Sequence, residues 1–429
     1  SDDGTGEGWQ SLENLYSGYL DWIKEKEIEI QTLPEKFRKI ASHHIKDCKE
    51  CSERIYSGIK LLKENSTIRK AFKYANLSML LQQIASKQLK RRPLLWEVNR
   101  FVPENNHQSP WTILEKNLED KNNIGSWRAF QMAFFLMSIE GTTEVTSNER
   151  EIVDLIWFPT GGGKTEAYLV LMSFYMFYER FMIKKDETRR DGTNILMRYT
   201  LRMLTTQQFE RAANLICAME FLRRNPSSLG EINGNRFSLG LWIGGTATPN
   251  SIKNALREVD KFRDGDVKGN PLVLTDCPWC RAEIGKFKRG RNTYLRGIIK
   301  DTEQGPLLVC PDASCEFGRE DLNFSIPVEV IDDRIYSNPP TIVISTADKL
   351  ALLAYKPKAG SLFGREFKDG EFQQLRKPPG LIIQDELHLI SGPLGTMYAL
   401  YEGIIEKLCS FKLGDKTIKP SVPLLFVLT

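Results

Sequence analysis

The sequence contains no long apolar run and no large excess of one charge, and each absence excludes a class of protein. The longest apolar stretch, Leu169 to Tyr178, is shorter than the roughly 18 to 20 residues that a membrane-spanning helix needs. The 59 lysines and arginines nearly balance the 55 aspartates and glutamates. A nucleic-acid partner must therefore be met by a local basic patch, because the chain has no strong overall positive field.

Cysteine is also scarce, with eight residues in 429. This is too few for a disulfide scaffold, so we predict a reducing, cytoplasmic environment in which clustered cysteines are candidate metal ligands. The polar start, Ser1 to Gly4, predicts no secretory signal peptide at this end. A hydrophobic content of 41% excludes disorder of the whole chain. At about 150 residues per domain, the length predicts about three domains.

The organisation of the chain changes near Trp127. Before it, apolar residues recur at helical spacing, as between Leu12 and Ile23, which predicts a helical N-terminal region. After it, short apolar strand-like runs alternate with helical segments, which predicts an α/β fold with a parallel sheet and helices on both faces. A turn-rich, cysteine-bearing stretch interrupts this alternation. The predicted units are a helical region over 1–120, an α/β domain over 121–264 and 336–429, and an insertion over 265–335.

A glycine turn between a strand-like run and a helical segment is the strongest local pattern. It runs from Phe158 to Glu166 and places three glycines before Lys164 and Thr165. Such glycines let backbone N–H groups point at phosphate oxygens, and the next helix directs its positive end at the same anion. We predict that Lys164 contacts the β- and γ-phosphates of ATP and that Thr165 ligates Mg²⁺. The predicted nucleotide-binding residues here are Thr160, Gly161, Gly162, Gly163, Lys164 and Thr165.

Two adjacent acids, Asp385 and Glu386, follow the apolar run Leu381 to Ile383. Hydrolysis of ATP needs one carboxylate for the Mg²⁺ shell and another that orients the attacking water. We assign the metal to Asp385 and the water to Glu386, so that the predicted catalytic residues are Lys164, Asp385 and Glu386. A helix cap is the alternative interpretation of two such acids, and their combination with the glycine turn favours the hydrolytic one.

Four cysteines of the predicted insertion have the spacing of a zinc site. Cys277 and Cys280 form one pair and Cys310 and Cys315 a second, with 29 residues between the pairs. Four thiolates close a tetrahedral structural Zn²⁺ site, and the alternative is four unmetallated thiols. Basic residues between the pairs form either a phosphate-contacting patch or a solvated face. These residues are Lys286, Lys288, Arg289, Arg291, Arg296 and Lys300.

A second cluster of candidate ligands lies in the N-terminal region. His44, Cys48 and Cys51 are spaced to lie on one face of a predicted helix. Three ligands without a visible fourth make a metal site the less favoured interpretation here.

The order of the glycine turn and the acids resembles the first RecA-like lobe of superfamily 2 helicases. The short Pro-Thr-Gly-x-Gly-Lys-Thr form of the loop matches that family, although Phe158 stands where the longer P-loop formula has glycine. The block Trp127 to Gln131 is similar to the family's Arg-x-x-Gln signature, which implies a nucleotide contact for Arg128 and an adenine contact for Gln131. His388 resembles the last histidine of the family's Asp-Glu-x-His motif.

Three further blocks resemble turns that contact the nucleic-acid backbone in the same family. Their arginines have an alternative interpretation as salt-bridged surface residues. The residues implied in nucleic-acid binding are Arg198, Thr200, Arg202, Gly245, Thr346 and Lys349.

Residues 127 to 429 resemble more closely the DrmA-like helicases of the bacterial DISARM anti-phage system. The blocks that carry this resemblance are Ile156–Thr160 with its three glycines, Arg198–Arg202, Cys277–Cys280 and Gln384–Gly392. It implies a defence ATPase that acts on DNA with a single-stranded region and partners a second, DrmB-like subunit. The chain lacks a Gln-x-x-Gly-Arg-x-x-Arg motif, so we expect the second lobe to be absent and the piece alone to be weakly active. The sequence Thr246-Ala247-Thr248 resembles the family's Ser/Thr-Ala-Thr motif. It precedes the acids in the chain, so we do not assign it the role of that motif.

These observations leave three functional hypotheses. The first is an ATP-dependent DNA helicase or translocase of an anti-phage system. The second is an RNA helicase of the same superfamily, because motifs of this kind contact phosphates more than sugars. The third is an ATP-gated nucleic-acid-binding scaffold that does not translocate.

Overall fold

A computed structural model describes most of the chain. The described residues are 6–97, 100–104, 107–119, 125–157, 163–183, 192–199, 202–225, 231–245, 247–267, 269–318, 324–385, 390, 392–420 and 424–426.

The elements of the described chain follow in sequence order. The α-helices are α1 (Glu7–Ile30), α2 (Glu35–Glu64), α3 (Ser66–Gln83), α4 (Pro110–Glu119), α5 (Ala129–Thr143), α6 (Lys164–Met182), α7 (Arg202–Arg224), α8 (Ile252–Asp264), α9 (Asp332–Ser337), α10 (Ala347–Leu350) and α11 (Gly392–Cys409). The strands are β1 (Leu94–Glu97), β2 (Arg100–Pro103), β3 (Leu155–Trp157), β4 (Ile195–Tyr199), β5 (Leu239–Trp242), β6 (Gly285–Arg289), β7 (Asn292–Arg296), β8 (Ile298–Asp301), β9 (Gly305–Leu308), β10 (Val328–Glu329), β11 (Ile342–Thr346), β12 (Arg365–Lys368), β13 (Glu371–Gln374), β14 (Leu381–Gln384), β15 (Phe411–Leu413), β16 (Lys416–Ile418) and β17 (Leu424–Phe426). A π-helical turn spans Ile84–Gln88, and 3₁₀ turns span Asn148–Glu151, Ala351–Tyr355 and Pro357–Phe363.

Within the described chain, seven strands form one central sheet in the order β10-β5-β11-β4-β14-β17-β3. Every neighbouring pair in it is parallel. The residues of β4, β11 and β14 are all buried, as expected of strands covered on both faces and made of continuous apolar runs. The predicted α/β class and the predicted strand-like runs are confirmed.

Alternate residues of the strands join two different cores. Ile195, Ile342 and Leu381 belong to the large core that includes α3, α5, α6 and α7. Leu196 and its neighbours Val343 and Ile382 belong to a smaller core that includes Ile405 and Cys409 of α11. The predicted helices on both faces are therefore confirmed. The long apolar stretch of the sequence lies in the buried part of α6.

The N-terminal helices pack directly on the α/β part. Tyr74 of α3 lies against Phe177 of α6, with ring centroids 5.2 Å apart. Arg54 of α2 donates to Asp154, just before β3, at 2.6 and 2.7 Å. The hairpin of β1 and β2 is an element that helical spacing did not predict. In the described part of the chain, no helix is both long enough and apolar enough to cross a membrane.

The predicted insertion contains two antiparallel hairpins, β6–β7 and β8–β9. Its first hairpin contacts the N-terminal region, because Phe287 stacks on Trp96 with ring centroids 5.7 Å apart. Strand β10 lies inside the predicted range 265–335 but pairs with β5 as the edge strand of the central sheet. The chain therefore returns to the α/β part before residue 335.

Candidate functional site

A polar cleft of about 500 Å³ contains most of the described residues that the sequence predicted to bind nucleotide. It lies where Asp385 follows β14, at the carboxyl edge of the parallel sheet, and at the start of α6. Such edges are where parallel α/β sheets bind ligands. Its lining residues include Arg128, Gln131, Gly163, Lys164, Thr165 and Asp385.

Gly163 starts α6 in a conformation that requires glycine. Its φ of 89° and ψ of 28° are left-handed, and a Cβ there would lie 2.7 Å from Nε2 of Gln131. The turn places Lys164 at the first position of the helix, where only 7% of it is exposed. The backbone N–H groups of this helix end favour an anion in the cleft. Thr160, Gly161 and Gly162 lie outside the described residues.

Gln131 connects the start of α5 to the glycine turn at Gly163. Its Oε1 accepts from the backbone N–H of Arg128 at 2.8 Å, and its Nε2 donates to the carbonyl of Gly163 at 2.7 Å. Both ends of the amide therefore hold protein backbone in this structure. The adenine contact that the family resemblance implies for Gln131 stays a prediction.

Asp385 is held at the cleft by its backbone and lies beside the hydroxyl of Tyr168. Its N–H donates to the carbonyl of Arg198 at 3.0 Å, and its Oδ2 lies 3.4 Å from the Tyr168 hydroxyl. Tyr168 follows Lys164 by one helical turn, so both face the same side of α6. Burial raises the pKa of Tyr168 well above its usual value, and the Asp385 carboxylate raises it further. This hydroxyl therefore stays protonated. Glu386 and His388 lie outside the described residues.

Several cleft residues were missed by the sequence analysis. Glu166 forms an ion pair with Arg211 of α7. Gln208 accepts from the Tyr168 hydroxyl at 2.9 Å. Glu166 belongs to the glycine-turn block, so its position signalled a role. Gln83 and Lys87, from the N-terminal region, also line the cleft, and nothing in their local sequence indicates it.

Of the described nucleic-acid candidates, Gly245 is exposed, whereas Arg198, Thr346 and Lys349 are buried. Arg198 is 1% exposed and forms an ion pair with Glu402 of α11, which favours the salt-bridged alternative for this arginine. Lys349 is 2% exposed, and its Nζ lies 2.5 Å from Oδ2 of Asp332. Thr346 is also buried. Thr200 and the side chain of Arg202 lie outside the described residues.

The turn at Gly245 is tied to Lys349 through one asparagine. Lys349 Nζ donates to Oδ1 of Asn250 at 3.2 Å. A Cβ at Gly245 would lie 2.5 Å from Nδ2 of the same asparagine. The two predicted backbone-contacting turns therefore pack together as one unit.

The four predicted zinc ligands, Cys277, Cys280, Cys310 and Cys315, are buried with their sulfur atoms all within 4.8 Å of one another. Tetrahedral Zn²⁺ with bonds of about 2.3 Å needs sulfur atoms roughly 3.8 Å apart, and the spacing fits this need. Burial raises the pKa of Cys310 and Cys315 well above the usual value. Against the effect of burial, hydrogen bonds from the neighbouring thiols lower the pKa of Cys280 well below the usual value instead.

Two tight turns and one arginine shape the cysteine cluster. The first turn closes when Arg281 N–H donates to the Cys277 carbonyl at 2.9 Å, and the second when Cys315 N–H donates to the Asp312 carbonyl at 3.0 Å. Arg92, from the N-terminal region, joins both turns. Its Nε donates to the Cys280 carbonyl at 2.7 Å and its guanidinium to Asp312 at 2.8 Å.

The other predicted metal ligands and the basic residues of the insertion have different surroundings. Within the part of the chain that the structure describes, His44, Cys48 and Cys51 do not form a group close enough to share an ion. In the basic stretch, Arg296 pairs with Glu283 and Lys300 with Asp260. Lys300 is exposed, and so are Lys288, Arg289 and Arg291 at the tip of the β6–β7 hairpin.

Fold and cleft define an α/β protein whose candidate site lies at the carboxyl edge of a parallel sheet and which also carries a four-cysteine cluster. No family model matches the chain. The chain is similar to DISARM protein DrmA of Bacillus paralicheniformis, with 35% identity over 443 aligned residues that include 95% of this chain. The resemblance to DrmA that the sequence blocks predicted is thereby confirmed. The chain spans 36% of the length of that protein.

Proposed function

We propose that the cleft binds Mg²⁺·ATP and that the chain carries the nucleotide-binding lobe of a DISARM-type anti-phage translocase. One observation carries this proposal: Lys164, at the start of α6, and Asp385, after β14, line the same cleft. These two residues are 221 positions apart in the sequence. Their meeting at a sheet edge is what a P-loop ATPase of the RecA type requires.

In this proposal each side chain has a separate task. Lys164 and the N–H groups at the start of α6 bind the phosphates, while Gln131 holds the loop carbonyl in place. Thr165 and Asp385 hold Mg²⁺, which supplies Lewis-acid stabilisation of the phosphoryl oxygens when bound. The Tyr168 hydroxyl lies beside the Asp385 carboxylate while it donates to Gln208. Glu386 orients the attacking water.

In this proposal DNA is the substrate and a DrmB-like subunit is the partner, as the resemblance to DISARM helicases implies. The cysteine cluster binds a structural Zn²⁺, since four thiolates leave no position open for a substrate. Exposed basic residues at the β6–β7 tip are the described candidates for phosphate-backbone contact outside the cleft.

ATP hydrolysis with and without nucleic acid tests the proposal. We expect the full-length protein to hydrolyse ATP faster with single-stranded DNA, the Lys164→Ala variant to lose nucleotide binding, and the Glu386→Gln variant to bind ATP without turnover. Stimulation by single-stranded RNA alone would show that DNA is not the substrate. Unchanged ATP affinity of Lys164→Ala in calorimetry would refute the nucleotide site. If ATP changes DNA affinity but the protein does not displace or move along the strand, the chain belongs to a scaffold.

A further inference from the structure

The N-terminal helical region contributes two side chains to the cleft, although its sequence carries no nucleotide-binding motif. Gln83 is the last residue of α3, and Lys87 lies in the π-helical turn that follows it. Both line the cleft together with Lys164 and Asp385. Single π-helical turns of this kind are frequent at functional sites.

The π-helical turn is fixed in position. Ile84 and Ala85 are buried in the large core, and the Leu89 N–H donates to the Ile84 carbonyl at 3.2 Å. The Ser86 hydroxyl lies 2.7 Å from the side-chain amide of Asn214 on α7. The backbone that carries Lys87 is therefore held between the core and α7.

The contacts of this turn place it between the loop at Gly125 and α7. Asn214 lies about one helical turn after Arg211 on α7. Arg211 in turn pairs with Glu166, the last residue of the glycine turn. At its other end, Gln83 packs against Gly125, where a Cβ would lie 3.0 Å from Oε1 of Gln83. The turn thus forms a wall of the cleft from the loop at Gly125 to α7.

The charges in the cleft favour an anionic ligand beside Lys87. The lining contains four cationic side chains and two carboxylates. Glu166 is paired with Arg211, and Asp385 is assigned to Mg²⁺. Among the described residues, no ion pair of Lys87 with a carboxylate is found. Lys87 is exposed and lines the cleft, so its ammonium group is available to a polyphosphate bound there.

We propose that Lys87 binds a phosphate group of the nucleotide, so that the N-terminal helical region completes the ATP site. This inference rests on the proposed nucleotide site. It makes ATP affinity depend on a helix that lies outside the α/β domain. Any movement of α3 relative to α6 would therefore change nucleotide binding.

Calorimetric titration of ATP into the full-length protein tests the inference, with Lys90→Ala as the matched control. Lys90 is three residues further along, exposed, and not part of the cleft lining. We expect Lys87→Ala to raise the ATP Kd about 3- to 10-fold at low salt and to reduce its salt dependence. Lys90→Ala should leave the ATP Kd unchanged, and Lys87→Arg should retain most of the affinity.

The possible outcomes separate the two proposals. If the unmodified protein does not bind ATP, both the nucleotide site and the role of Lys87 are refuted. If the protein binds ATP and Lys164→Ala abolishes this, but Lys87→Ala and Lys90→Ala behave alike, only the role of Lys87 is refuted. A weaker affinity of Lys87→Ala with unchanged salt dependence would also refute a phosphate contact, since it indicates a structural effect.

Discussion

At the scale of single residues, Gly163 connects backbone conformation to the proposed nucleotide site. An L-residue there must adopt a left-handed φ, and its Cβ would collide with the Gln131 amide that holds the loop. We expect Gly163→Ala to lower the free energy of unfolding by about 1–3 kcal/mol and to weaken ATP binding. Denaturant unfolding and calorimetry measure the two effects.

Gly403 provides the control for this substitution. It lies in α11, and beyond the neighbouring helix backbone no atom of the described residues lies within 4 Å of the position that a Cβ would take. Gly403→Ala should stabilise the protein by about 0.5–1 kcal/mol and leave ATP binding unchanged. Equal effects of the two substitutions would contradict the strain that we assign to Gly163.

The buried pair of Lys349 and Asp332 gives a second prediction at this scale. Lys349→Met leaves the Asp332 carboxylate without its ammonium partner, so we expect a loss of about 3–5 kcal/mol of stability. Replacing both residues, as Lys349→Met with Asp332→Leu, should restore much of it because no buried charge is left unpaired. Chemical denaturation measures both. If Lys349→Met instead keeps its stability and loses only DNA affinity, the lysine contacts phosphate as the family resemblance implies.

At the scale of elements, we expect the two cysteine turns to depend on a metal. The purified protein should contain about one Zn²⁺ per chain. Cys310→Ser should abolish zinc binding and lower the melting temperature of the insertion, because metal-binding energy is folding energy in such sites. Cys48→Ser, at a half-buried cysteine outside the cluster, should change neither. Elemental analysis and thermal unfolding measure these results, and a metal-free protein with an intact insertion would refute the zinc site.

At the scale of the whole molecule, the parts that were predictable follow from short-range patterns. Strands β4, β11 and β14 are continuous apolar runs because both of their faces are covered, so the sequence signals them directly. The meeting of Lys164 and Asp385 follows because parallel strands end at one edge. The four cysteines were predictable because zinc turns have a characteristic spacing.

The parts that were not predictable depend on partners far away in the chain. Arg198 turns inward because of Glu402, 204 residues later, and no local pattern indicates this pair. Lys87 reaches the cleft only because α3 packs on α6 and α7. The β1–β2 hairpin forms where Trp96 meets Phe287 of the insertion. Packing between distant elements decides each of these positions.

The junction between the N-terminal helices and the sheet gives a prediction about the stability of the whole molecule. Arg54 of α2 pairs with Asp154 and Glu149, and each of these three side chains is less than a quarter exposed. Its guanidinium also donates to the Met137 carbonyl at 3.1 Å. Arg54→Met should therefore leave two carboxylates unpaired beside β3 and cost about 3–5 kcal/mol of stability.

Lys24 is the matched control for Arg54. It also pairs with an acid, Asp21, but both side chains are 69% exposed. Lys24→Met should give no measurable change in denaturant unfolding. The same helical region carries Lys87, so undocking of α2 should disturb the cleft. We therefore expect Arg54→Met also to weaken ATP binding. A variant that unfolds at lower denaturant concentration but binds ATP normally would show that the docking of α2 does not affect the wall of the cleft that carries Lys87.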